Sequence, residues 1–226
     1  MHFVRYADPD EHVRVRFRSH IEVDNLSLLT HMVSVTRGWV SPDLLVRTEF
    51  ATYDREVERY GGVDAIGVAE TIFTIDSLDV LSDLAPLREL TAQRHLHIAR
   101  AARFLETLCG DDESALPWYA GCFGRRPRLD AESWLTVRKA LDLIASLPAQ
   151  EELVSAASLL RSVTLGRRRD NAIRALMHMH FNRIGLMGPH EQQAYADVAA
   201  ALDGARHRRL ATIRTQTSLV SKEGLR

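Results

Sequence analysis

Between His12 and Arg18 apolar and basic residues alternate, with Val13, Val15 and Phe17 set among His12, Arg14, Arg16 and Arg18. A period of two predicts a half-buried strand whose apolar set faces the core and whose four basic groups share the other face. The preceding DPDEH, with Pro9 among acids, is a turn signal. The chain enters extended structure almost at once, with no cap or lead-in. A second strand is predicted over residues 44–50 (LLVRTEF), after the breakers Gly38 and Pro42.

From Thr52 onward the period changes. TYDREVERYGG predicts a short helix stopped by Gly61 and Gly62, glycine being the usual residue past a helix C-cap. VDAIGVAETIFTIDSLDVLSDL follows at helical spacing, with Asp64 in the favourable first turn. Further helices are predicted over 91–108, 131–145, 151–163, 170–184 and 190–209, with a loop over 109–129. The expected organisation is one domain over 1–214 and a flexible tail over 215–226. The expected fold class is α+β, a small N-terminal β-sheet packed against a helical majority.

Composition narrows the function classes. The 226 residues are 46% hydrophobic and 26% charged, with a formal net charge of −1. No global basic field points to nucleic acid. Cys109 and Cys122 are the two cysteines and form no metal-ligand spacing. No stretch approaches the ~20 apolar residues of a membrane span, and no signal-peptide pattern opens the chain. The expected location is cytoplasmic.

Three stretches carry candidate chemistry. The basic strand face, with Arg14 and Arg16 at its centre, is either an edge strand blunted by charge or a site where guanidinium forks hold carboxylates. Glu56 and Arg59 stand three apart and pair, as a surface ion pair or as a site group beside the glycine turn. HMHFNR, residues 178–183, sits in an apolar helical run. Spacing by four puts Arg174, His178 and Asn182 on a polar ridge, with His180 nearer the apolar side. The two histidines diverge and cannot readily chelate one metal, and His95 and His97 diverge likewise. No metal or other cofactor is expected. A histidine on a polar ridge suits proton transfer, although a histidine satisfied within its helix is the commoner outcome. P-loop, GxSxG, HExxH and dinucleotide fingerprints are absent.

Taken in order, FVRYADPDEHVRVRF, ATYDREVERYGG with DAIGVAETIFTIDS, and ALMHMHFNRIGL closely resemble the C-terminal glutamate-elimination domain of class I lantibiotic dehydratases, also found as stand-alone thiopeptide-type bacteriocin biosynthesis proteins. The resemblance spans residues 3 to about 186. It implies a lyase that expels glutamate from glutamylated Ser or Thr of a precursor peptide, leaving dehydroalanine or dehydrobutyrine. It implies a separate glutamylating subunit that uses glutamyl-tRNA, so that this chain touches no nucleic acid itself. By motif, the family's arginine pair falls on Arg14 and Arg16, its ExxR on Glu56 and Arg59, and its catalytic histidine on His178, with His180 in reserve. The family domain carries residues ahead of the FxRYxDP strand, so the resemblance leaves two alternatives at this end, a misplaced start or a truncation. Two alternatives stand beside elimination. One is the formal [4+2] cycloaddition run by some thiopeptide relatives, and the other is a non-catalytic subunit of the dehydratase complex. Association into homo- or hetero-oligomers is open on the sequence.

Overall fold

The computed structural model describes residues 1–7, 10–17, 25–40, 47–84, 94–110, 115, 118–119 and 129–223, with side chains of the last helix described to Ile213. Two antiparallel strands, β1 (His2–Tyr6) and β2 (His12–Arg16), open the chain. Helices follow: α1 (Asn25–Arg37), a 3-10 turn (Glu58–Tyr60), α2 (Val63–Leu84), α3 (Arg94–Cys109), α4 (Ala131–Ile144), α5 (Glu151–Val163), α6 (Gly166–Arg183) and α7 (Pro189–Glu223). The architecture is α+β, a two-stranded sheet on a helical majority. No described helix is long and apolar enough to cross a membrane.

Helix α3 is the hub. It packs against α4, α5, α6 and α7, which is why Ile98, Ala99, Ala101, Ala102, Phe104, Leu105 and Leu108 are all buried instead of forming one stripe. Small residues let the neighbours close in. A Cβ at Gly204 of α7 would stand 2.8 Å from Leu141 Cδ1 of α4. Asp130 caps α4, accepting from the Ser133 amide at 2.8 Å. At the junction into α2, Gly61 takes φ +100, and a Cβ there would lie 2.7 Å from Thr164 Cγ2. The left-handed turn and the close approach both require glycine, and the predicted stop at Gly61 and Gly62 holds.

Several boundaries depart from the sequence reading. Thr52–Glu56 carry no helix, and the predicted short helix shrinks to the 3-10 turn. Residues 47–50 carry no strand, and the rest of that predicted strand lies outside the described residues. Helix α1 was not predicted. Helix α6 begins at Gly166, four residues early, and α7 continues past Arg209 to Glu223, through part of the span read as a tail.

The largest correction concerns β2. Val13, Val15 and Phe17 do not face the core; they are 57%, 45% and 46% exposed. Instead β1, through Phe3 and Val4, packs on the helices, and β2 lies outboard of it. The alternation in β2 is real, but the core lies across β1.

Candidate functional site

The β1–β2 register decides which side chains meet. His2 pairs with Arg16, Val4 with Arg14 and Tyr6 with His12, and directly opposed residues share a face. Tyr6 and His12 stack with ring centroids 5.0 Å apart, and the Arg14 guanidinium lies 4.1 Å over the Tyr6 ring. Arg14 Nε donates to His12 Nε2 at 3.3 Å, while His12 Nδ1 donates to the Asp10 carbonyl. Arg16 lies 4.1 Å over the Tyr53 ring. Both arginines rest on aromatic faces, and neither has a carboxylate partner among the described residues.

Tyr53 joins this face to its neighbours. Arg55 clasps Glu70 in a bidentate pair at 2.8 and 2.7 Å. Burial raises the Tyr53 phenol above its ordinary value; Glu70 adds to this by charge and hydrogen bond, while Arg16 and Arg55 oppose it. Glu56 and Arg59 pair at 3.1 Å, both well exposed. Arg59 also lies 5.7 Å over Tyr60, whose hydroxyl burial pushes up to about 12. Ring contacts from Tyr53 through His2 and Phe73 to Tyr60 connect the ring that carries Arg16 with the ring beneath Arg59.

HMHFNR divides into two functions. His180 is buried, stacked on Phe104 at 4.8 Å, with Nδ1 2.7 Å from Asp76 Oδ1. Arg183, also buried, gives Nη1 to Asp76 Oδ2 at 2.6 Å and Nε to the Phe3 carbonyl at 3.0 Å. Burial alone would push the Asp76 carboxyl up, but His180 and Arg183, through charge and hydrogen bonds, hold it below the usual range. Asn182 is buried too, not part of an exposed ridge, and binds both backbone groups of Arg5. Ser77 Oγ accepts from the Phe3 amide. Ser77, Asn182 and Arg183 cover the inner edge of β1 and hang the hairpin on α2 and α6.

His178 stands apart. Its side chain is 41% exposed, and Nδ1 lies 2.8 Å from Glu191 Oε1, in the first turn of α7. An ionised carboxylate can only accept, so Nδ1–H donates to Glu191, and the neutral form of the ring then has its lone pair at Nε2. Among the described residues, no hydrogen bond, ion pair or ring contact joins His178 to Arg14, Arg16, Glu56 or Arg59. Helix α6 links them indirectly, since it bears both His178 and the side chains that fasten the arginine hairpin.

Two groups escape sequence reasoning. Asp76 is a lone acid in the apolar run TIFTIDS, a position that demands a buried partner. Glu191 has no signal in the pattern, because its partner lies across a turn. Among the described residues, no three His, Cys, Asp or Glu side chains gather as a metal group. An open groove of about 630 Å³ between α2 and α5 includes Arg55, Asp64, Thr71, Glu152 and Leu159 but none of the candidate residues.

A family model described as lantibiotic biosynthesis dehydratase C-term matches residues 1–202. The chain belongs to this family. Two curated relatives agree: subtilin biosynthesis protein SpaB of Bacillus subtilis, 29% identical over 107 residues, and nisin biosynthesis protein NisB of Lactococcus lactis subsp. lactis, 32% identical over 75 residues. These stretches are 46% and 33% of this chain but 10% and 7% of the relatives, so the chain matches a small part of their length. The crystal structure of tRNA dependent lantibiotic dehydratase MibB from Microbispora sp. 107891 aligns over 92% of this chain and 25% of its own, with TM-score 0.71 and 23% identity. The lantibiotic dehydratase C-terminal fold is therefore the fold described above.

Proposed function

We propose that this chain eliminates glutamate from O-glutamylated Ser or Thr of a ribosomal precursor peptide, leaving dehydroalanine or dehydrobutyrine. A separate glutamyl-tRNA-dependent subunit supplies the ester, and this chain needs no nucleic acid contact. The observation that carries the reading is the pair Arg14 and Arg16, set over Tyr6 and Tyr53 without an acidic partner among the described residues.

Esterified glutamate keeps one carboxylate and its ammonium, and it gains a second carboxylate as it leaves. Arginines that meet this developing charge stabilise the transition state more than the bound ester, which is what accelerates a reaction. Arg59 extends the cationic surface, and Glu56 holds the ammonium or orients Arg59. His178 takes the Cα proton at Nε2, with Glu191 holding the tautomer. Electrons of the Cα–H bond become the Cα–Cβ double bond, and the Cβ–O bond breaks as glutamate departs. The Cα–H is a far weaker acid than imidazolium, so the base depends on the arginines easing departure. His180 is a poor alternative base, since it lies buried against Asp76 and Phe104.

Incubation with a synthetic O-glutamylserine peptide tests the reading by mass spectrometry. Elimination leaves dehydroalanine, whereas simple ester hydrolysis leaves serine. A peptide that stays glutamylated, or that returns to serine, contradicts it.

A further inference from the structure

We propose that the outer edge of β2 is the docking strand for the glutamylated peptide, which binds there in extended form as a third strand. This rests on the elimination reading for the identity of the peptide and goes beyond it in stating how the peptide is held.

The direction of each backbone group in the hairpin carries the argument. Phe3 and Arg5 turn their amides and carbonyls away from β2, to Ser77, Arg183 and Asn182. In an antiparallel ladder the residue opposite such a position also turns its groups away from the partner strand. Phe3 faces Val15 and Arg5 faces Val13. Val13 and Val15 therefore present two amides and two carbonyls at the far edge of β2, where no described strand pairs with them. An edge with exposed Val13, Val15 and Phe17 is an aggregation liability unless something covers it.

The occupant follows from charge and period. Side chains of an added strand alternate between the two faces of β2. One set falls beside His12, Arg14 and Arg16, the other beside Val13 and Val15. An O-glutamylserine level with Arg14 would lay its anionic substituent along the two arginines that lack acid partners among the described residues. Main-chain recognition also lets one edge accept different peptide segments, because the hydrogen bonds do not depend on side-chain identity.

The test uses the full chain and a fluorescein-labelled peptide with one central glutamyl group, amide-linked through diaminopropionate so that it cannot eliminate. A series with single backbone N-methyl groups is titrated by fluorescence anisotropy. Strand addition predicts a period of two, with affinity falling about fivefold at alternate positions and little between them. The phase of the alternation reports whether the added strand runs parallel or antiparallel. The variant Val15→Pro removes one outward amide without touching the β1 pairing and is expected to weaken the unmethylated peptide similarly. Uniform losses or none across the N-methyl series would overturn edge docking, whatever the proline variant does. Release of glutamate from the ester-linked peptide is scored separately, so a failed lyase reading and a failed docking reading stay distinguishable.

Discussion

The Asn182 carboxamide closes on both backbone groups of Arg5: Oδ1 accepts from the Arg5 amide at 2.8 Å and Nδ2 donates to the Arg5 carbonyl at 2.8 Å. One side chain of α6 thereby acts as a short stretch of neighbouring strand. Asn182→Ala is expected to cost about 2 kcal/mol, since two partly buried hydrogen bonds go at once. Urea unfolding measures the loss, and hydrogen exchange locates it. The Arg5 amide should exchange faster while the α4 and α5 amides stay protected.

Asp76 holds two partners in the core, His180 and the Arg183 guanidinium. Asp76→Ala leaves Arg183 buried without its carboxylate, a change that typically costs about 3–5 kcal/mol. Asp76→Asn keeps an acceptor oxygen and is expected to cost less. Chemical denaturation of the two variants should rank them in that order. Equal stability of the alanine variant and the parent would show that the network does not support the fold.

Acid should destabilise the domain through two buried histidines. His2 and His97 are buried, each with Nε2 unpartnered among the described residues. Burial lowers both from 6.5 to about 4; Arg183 and Arg16 add to the effect at His2, and His180 and His95 at His97. Between those two pH values the unfolded chain binds protons that the folded chain refuses. Stability is therefore fully present above about pH 6.5 and falls as the pH drops toward 4, by up to roughly 3 kcal/mol per histidine. His97→Gln should lose less Tm than the parent between pH 7.5 and pH 5.

Under the elimination reading Glu191 orients the base His178, so Glu191→Gln should slow glutamate release by about tenfold or more. The half-exposed pair itself is worth roughly 1 kcal/mol or less to folding. A change in rate with Tm nearly constant is the expected signature. If the rate is unaffected, Glu191 does not orient the base.

Arg14→Lys and Arg16→Lys keep the charge but lose the planar fork that stacks on Tyr6 and Tyr53. Under the elimination reading, in which the anion develops as glutamate leaves, both are expected to lower kcat more than they raise KM. A pure KM effect would assign the arginines to binding alone.

Long helices with strong periodicity were legible from sequence: α2 runs over the predicted residues, α5 likewise, and α4 ends within a residue. Short elements were not. The Thr52 stretch has helical spacing, but its position is set by Gly61 and by Tyr60 packing on Phe73. The strand period in β2 was correct, yet it cannot say which strand meets the core. That depends on Ser77, Asn182 and Arg183 gripping β1 from positions about 75 to 180 residues away. The motif residues themselves were visible in order; that Asn182 and Arg183 fasten a strand was not, because their partners are backbone groups.

The most direct test of the account compares the parent chain with His178→Ala and His180→Ala on one O-glutamylserine peptide, read by mass spectrometry, with folding checked by circular dichroism. Dehydroalanine is expected from the parent, glutamylated peptide left intact from His178→Ala, and from His180→Ala a defect that tracks its loss of stability. Undiminished dehydroalanine formation by a folded His178→Ala chain would contradict the assignment of the base. A parent chain that leaves the glutamyl ester untouched would contradict the elimination reading itself.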